Sequence, residues 1–212
     1  MIYVIGDSHV AFLSGLTHES IDPYPNVYDS NPVGYKIIRV HNMISAYALT
    51  ENTENIKQIL SNYTLTNDDI IVFSFGEVDL RFYIPKSIVN KIDPMIAFNA
   101  SISSYRNFLL EMKKLFSNII VFAPVPQLIK LDDLIDTVGF LDREVRNEYS
   151  LMYIKELKKI CLELNVGIID LQKYLMENEN ELPNDNYYLS DHIHLTCECR
   201  SFFELELKKI RG

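Results

Sequence analysis

The apolar positions along the chain fall into two kinds of run. Five are short, nearly continuous and rich in Ile and Val: residues 2–5, 36–40, 70–75, 119–122 and 166–169. They show little alternation, which marks strands buried on both faces. The others have helical spacing. Ile56, Ile59, Leu60 and Tyr63 recur through 54–63, and Ile102, Tyr105, Leu109, Met112 and Phe116 through 97–116. Tyr149, Met152, Ile154, Leu157, Ile160 and Leu164 recur through 144–164, and Phe202, Phe203, Leu205 and Leu207 through 197–210. Strands alternating with helices predict a parallel sheet covered on both sides.

Right-handed crossovers between such strands give an α/β chain: a flavodoxin-like three-layer α/β/α sandwich with a five-stranded parallel sheet. Ligands then gather at the carboxyl ends of the strands, where the strand order reverses. Gly6-Asp7-Ser8-His9 follows the first strand, Gly76-Glu77-Val78-Asp79 the third and Pro124-Val125-Pro126 the fourth, so these loops are expected to share one edge. Two irregular stretches, 22–34 and 178–188, could shape a cleft there. Their tyrosines Tyr24, Tyr28, Tyr187 and Tyr188 are compatible with stacking on a sugar.

Composition narrows the chemistry. A length of 212 residues predicts one domain, 1–212. The net charge of −9 argues against nucleic acid or an anionic membrane surface as partner. No apolar stretch is long enough to span a bilayer, so no membrane insertion is expected. The start lacks a basic region and its apolar run ends at once in Gly-Asp-Ser, so no signal peptide is read there. Three cysteines, Cys161, Cys197 and Cys199, cannot all pair within the chain. That points to a reducing compartment and a cytoplasmic location. The seven glycines include no Gly-x-Gly pair, which removes the dinucleotide fingerprint and the Walker loop.

Candidate chemistry sits at the two ends of the chain. Ser8 follows the first strand, and Asp191-His192-Ile193-His194-Leu195-Thr196 places an Asp and a His three apart before the last helix. Ser, His and Asp together can activate a hydroxyl for acyl transfer. The same stretch, with Cys197 and Cys199, is dense in metal-ligand types. No second ligand pair at zinc-finger spacing accompanies it, and those cysteines are expected to open a helix, so no metal is expected.

Gly-Asp-Ser after strand one, a glycine block after strand three and Asp-x-x-His before the last helix resemble the SGNH hydrolases, the GDSL esterase family. The resemblance runs the whole chain. Within it, Phe75-Gly76-Glu77-Val78-Asp79-Leu80-Arg81 looks like a variant branch with a Gly-Glu-Ile-Asp-Cys-Arg block, a branch associated with surface-polysaccharide gene sets. The resemblance implies Ser8 as nucleophile, His194 as the base, Asp191 as its orienting carboxylate and Thr196 as cap of the last helix. It implies a serine esterase or O-acyltransferase acting on short acyl groups such as acetyl, on a small-molecule or carbohydrate ester, with no cofactor.

Two positions depart from the family pattern. The usual oxyanion-hole Asn is Val78, which has nothing to donate, and the usual glycine after strand two is missing from His41-Asn42-Met43-Ile44-Ser45-Ala46-Tyr47. Losing one donor costs on the order of a hundredfold in rate. Arg81 and Asn42 are the candidate substitutes, with the Ser8 and Gly76 amides beside them. Glu77 is expected to pair with Arg81, and Asp7 and Asp79 to bond loop amides. His192 reads as a solvent-facing loop residue. Arg143 and Arg146 read as substrate contacts or as a solvated helix end. The second functional reading is a degenerate SGNH fold that binds a glycan or protein partner without turnover. Oligomeric state is not legible.

Overall fold

The computed structural model describes residues 1–14, 26–30, 34–40, 45–126, 143–176, 184–189 and 194–212. Its frame is a six-stranded sheet. In chain order the main elements are β1 (Ile2–Gly6), β2 (Asn26–Ser30), β3 (Tyr35–Arg39), α1 (Leu49–Ser61), β4 (Ile70–Ser74) and α2 (Ile84–Val89). There follow α3 (Pro94–Lys113), β5 (Ile119–Phe122), α4 (Arg143–Glu163), β6 (Gly167–Ile169), α5 (Gln172–Leu175) and α6 (Arg200–Arg211). The strand order is β2-β3-β1-β4-β5-β6. Five strands are parallel and coincide with the five apolar runs; β2 pairs antiparallel with β3 at the edge. The edge strand lies in the stretch read from sequence as irregular. It is short, follows Pro23 and Pro25, and carries two apolar residues, so its pattern is weak.

The strands are apolar on both faces because both faces are covered. Tyr3, Ile5, Ile71, Phe73 and Val121 face one core with Ile56 of α1, Phe108 of α3 and Leu157 of α4. Val4, Val72, Ile120 and Phe122 face the other core, with Val10 and Phe12 of a 3-10 turn (Ser8–Ser14) and Phe203 of α6. Sequence periodicity starts two helices late. Leu49 and Thr53 are buried in the first turns of α1, and Asp93 caps α3 through the Met95 amide (2.9 Å) with Pro94 at the first helical position. Among the described residues no helix is long and apolar enough to cross a membrane.

This order places the reversal between β1 and β4, whose last residues pair as Gly6 with Ser74. A Cβ on Gly6 would lie 2.4 Å from the Ser74 carbonyl oxygen, so only glycine lets the two strand ends approach. The loops leaving β1 and β4 therefore start side by side.

Candidate active site

The chain leaves β1 through Asp7 and enters the 3-10 turn that opens at Ser8. Asp7 accepts the His9 backbone N–H on Oδ1 at 2.9 Å, which tightens the turn. Ser8 is half-buried and His9 is buried. The chain leaves β4 through Phe75 and Gly76. Gly76 has φ +108°, and a Cβ there would stand 2.8 Å from the Tyr153 ring, so both conformation and space demand glycine. Glu77 and Val78 then lead into a single π-type turn, Asp79–Tyr83, which continues into α2.

Asp79 accepts the backbone N–H groups of Ala46 (2.6 Å) and Tyr47 (2.9 Å), tying the loop after β3 to the loop after β4. Burial pushes its carboxyl up to about 6, against the pull of those donors. Burial likewise raises the Asp7 carboxyl. Both carboxylates bond loop amides, as the sequence suggested.

His194 arrives from the far end of the chain. Leu189 N–H donates to the His194 carbonyl at 2.8 Å, Thr196 N–H donates to Tyr187 O at 2.9 Å, and Tyr188 O–H donates to Pro126 O. These bonds hold the segment over the loop after β5. His194 Nε2 lies 2.7 Å from Ser8 Oγ, across 186 residues of sequence. Its ring also lies against that of His9, tilted, with centroids 4.8 Å apart and planes 30° off parallel.

Beneath this pair lies a charged cluster. His9 Nε2 is 3.0 Å from Glu77 Oε2, and Arg81 Nη2 is 3.5 Å from the same oxygen. His9, Glu77 and Arg81 are all buried. Burial works against the Glu77 charge, but Arg81 and His9 outweigh it and hold the carboxyl down at about 2. The Glu77–Arg81 pairing matches the sequence expectation. His9 is the residue sequence reasoning missed. Its only signal is adjacency to Ser8, because its partner stands 68 positions away.

Other expected residues land differently. Val78 is buried and apolar. Arg146 is 1% exposed inside α4, so it is neither a solvated helix end nor an open substrate contact. Thr196 precedes a 3-10 turn (Cys197–Cys199) leading to α6, and its side chain makes no cap bond there; its carbonyl accepts the Cys199 N–H instead. Tyr188 is buried, so it offers no open ring face as a sugar platform; Tyr187 is half-buried and packs edge-to-face with Phe202. Cys161 is a buried thiol, which burial pushes up to about 12. Cys197 is exposed and Cys199 buried, and among the described residues no group of His, Cys, Asp or Glu could hold a metal ion. Asn42, Asp191, His192, Tyr24 and the side chains of Tyr28 and Arg143 lie outside the described residues.

No family model and no curated protein matches the sequence. Solved structures do match the fold. A catalytic Asp-to-Ala mutant of Axe2, an acetylxylan esterase from Geobacillus stearothermophilus, aligns over 100% of this chain and 93% of its own, with TM-score 0.62 and 15% identity. Catalytic mutants of the same enzyme at a histidine and at a serine align over the same shares, each with TM-score 0.60 and 15% identity. LAE5, an alpha/beta hydrolase enzyme from the metagenome of Lake Arreo, Spain, aligns over 98% of this chain and 93% of its own, with TM-score 0.58 and 10% identity. The α/β fold described above is thus shared with these enzymes.

Proposed function

We propose that this chain is an SGNH-type serine esterase or O-acyltransferase acting on a short acyl ester, with acetyl on a carbohydrate as the favoured substrate. One observation carries the reading: Ser8 Oγ and His194 Nε2 stand 2.7 Å apart at the carboxyl edge of the sheet. That is the reach a general base needs to take a hydroxyl proton. The Axe2 catalytic mutants, at a Ser, an Asp and a His on the same fold, support it. So does that enzyme's acetylated substrate.

In the proposed reaction the Ser8 O–H donates to His194 Nε2. As Oγ bonds to the ester carbonyl carbon, the proton passes to the imidazole. The tetrahedral oxyanion collapses to an acyl-Ser8, and the leaving alcohol takes the proton back from His194. Water or a sugar hydroxyl then repeats the cycle in reverse. Asp191 is the proposed orienting carboxylate. The Ser8 and Gly76 amides and Arg81 are the proposed oxyanion donors, with Asn42 as a further candidate. Arg81 can stand near an acyl site without repelling or trapping the substrate because Glu77 balances its charge.

An activity-based fluorophosphonate tests the reading. Labelling of the wild type that vanishes in Ser8→Ala is expected. No labelling of folded protein, together with no hydrolysis of aryl acetates, would sink it. The second reading, a binding protein without turnover, would then stand, and buried, donorless Val78 is the observation in its favour. Arg81→Ala should lower kcat by about a hundredfold with a smaller rise in KM, and Arg81→Lys, which keeps the charge opposite Glu77, should lose much of the same rate. An unchanged kcat in both variants removes Arg81 from the oxyanion site.

A further inference from the structure

His9 has no part in the acyl-transfer scheme, yet it is built into the centre of the site. It follows the nucleophile directly and is buried. Its ring lies against the His194 ring at 4.8 Å, and its Nε2 faces Glu77 Oε2 at 3.0 Å. Arg81 Nη2 lies 3.5 Å from the same carboxylate oxygen. A buried carboxylate with a guanidinium and an imidazole both against one oxygen is a fixture, not a mobile acid.

We propose that His9, held by Glu77 and Arg81, is a positioning residue that sets a fixed positive charge and a tilted ring contact against His194. The inference rests on the reading of Ser8 and His194 as nucleophile and base. A like charge beside His194 disfavours its protonated form. It keeps the imidazole neutral, and so able to take the Ser8 proton, at lower pH. It also makes the imidazolium formed in the first step a stronger acid toward the leaving alcohol. The groups facing His9 are Glu77, Asp7, Arg81 and His194. Burial alone would discharge His9, but Glu77, with help from Asp7, outweighs both burial and Arg81 and raises its pKa. Glu77 also acts on His194 in the opposite sense. The proposed Asp191 would act in that same sense, and the contact between the two rings is what gives His9 its influence on His194.

The test is a histidine NMR titration of the whole protein, read beside fluorophosphonate labelling across pH. In the wild type, His194 is expected to lose its proton at lower pH than His9. The reverse order overturns the proposal. His9→Phe keeps a ring against His194 and removes the charge; His9→Gln keeps a donor toward Glu77 and removes the charge. Both should raise the apparent pKa of His194 by about one unit, a tenfold change in its protonation ratio. The acid limb of labelling should move up with it by the same amount, slowing the reaction by up to about tenfold at the foot of that limb and little on the alkaline plateau. An unmoved His194 titration in either folded variant overturns the proposal. The wild-type titration decides the matter even if both variants unfold. Absent labelling with the expected titrations would defeat the esterase reading while leaving the charge relation between the two rings in place.

Discussion

Ser8→Ala is expected to lower kcat for an aryl acetate by about a thousandfold or more, with KM changed little. The side chain touches the reacting carbon only once bond formation begins, so its loss removes transition-state stabilisation rather than ground-state binding. His194→Ala should lose about as much, and the double variant little more, because the proposed nucleophile and base would act as one unit. Neither change should unfold the protein. Ser8 is half-buried in a turn whose Asp7 bond to the His9 amide does not involve the serine hydroxyl. Near-wild-type turnover by a stably folded Ser8→Ala protein would mean that another group carries the chemistry, or that the observed turnover belongs to a contaminant. A far-UV spectrum and an unfolding curve matched to the wild type make the rate loss interpretable.

The sheet was readable because burial on both faces leaves a mark in the strands themselves. Ile2, Val4, Ile70 and Val72 turn to one core while Tyr3, Ile5, Ile71 and Phe73 turn to the other, so no polar alternation interrupts the runs. That placed the loops after β1 and β4 at one edge and put Ser8 and Gly76 on it. The edge strand β2 escaped because an edge needs little apolar surface. The start of α1 escaped because Thr53 is buried by bonding its hydroxyl to the Leu49 carbonyl at 2.9 Å, which hydropathy does not register.

Site geometry is a different kind of information. The approach of His194 to Ser8 depends on Tyr188 reaching Pro126 and on a bridge between Tyr188 and Leu195, none of which has a local pattern. The Glu77–Arg81 pair was visible as an i, i+4 spacing. The third member, His9, comes from the parallel register of β1 and β4, which sets Gly6 beside Ser74 and so brings the next turns together. Arg146 shows the opposite failure. A charged residue in the first turns of a long helix looks solvated, and here it is packed inside.

Glu77→Ala should destabilise the protein by about 3–5 kcal/mol, the cost of stripping the counter-charge from buried cations. Arg81 cannot discharge, so it stays charged without its carboxylate. His9 can discharge, and that gives the variant its signature. In the wild type the His9 pKa is raised, so its contribution to stability is complete below the ordinary histidine value of 6.5 and fades as pH rises through the raised one. Without Glu77, burial should carry the His9 pKa below 6.5, and its contribution should then fade as pH falls instead. Glu77 itself, held at about 2 against an ordinary 4.5, contributes stability that is complete above 4.5 and lost as pH falls toward 2. That acid limb should be absent from the variant. Asp79, pushed up to about 6, loses stability from about 4 upward in both proteins and cancels in the difference. Denaturant unfolding at pH 5, 7 and 8.5 measures the contrast, with the stability gap narrowing from pH 5 to 8.5. A gap under about 1 kcal/mol at every pH would show that Glu77 is not the charge that holds Arg81 and His9 beneath Ser8.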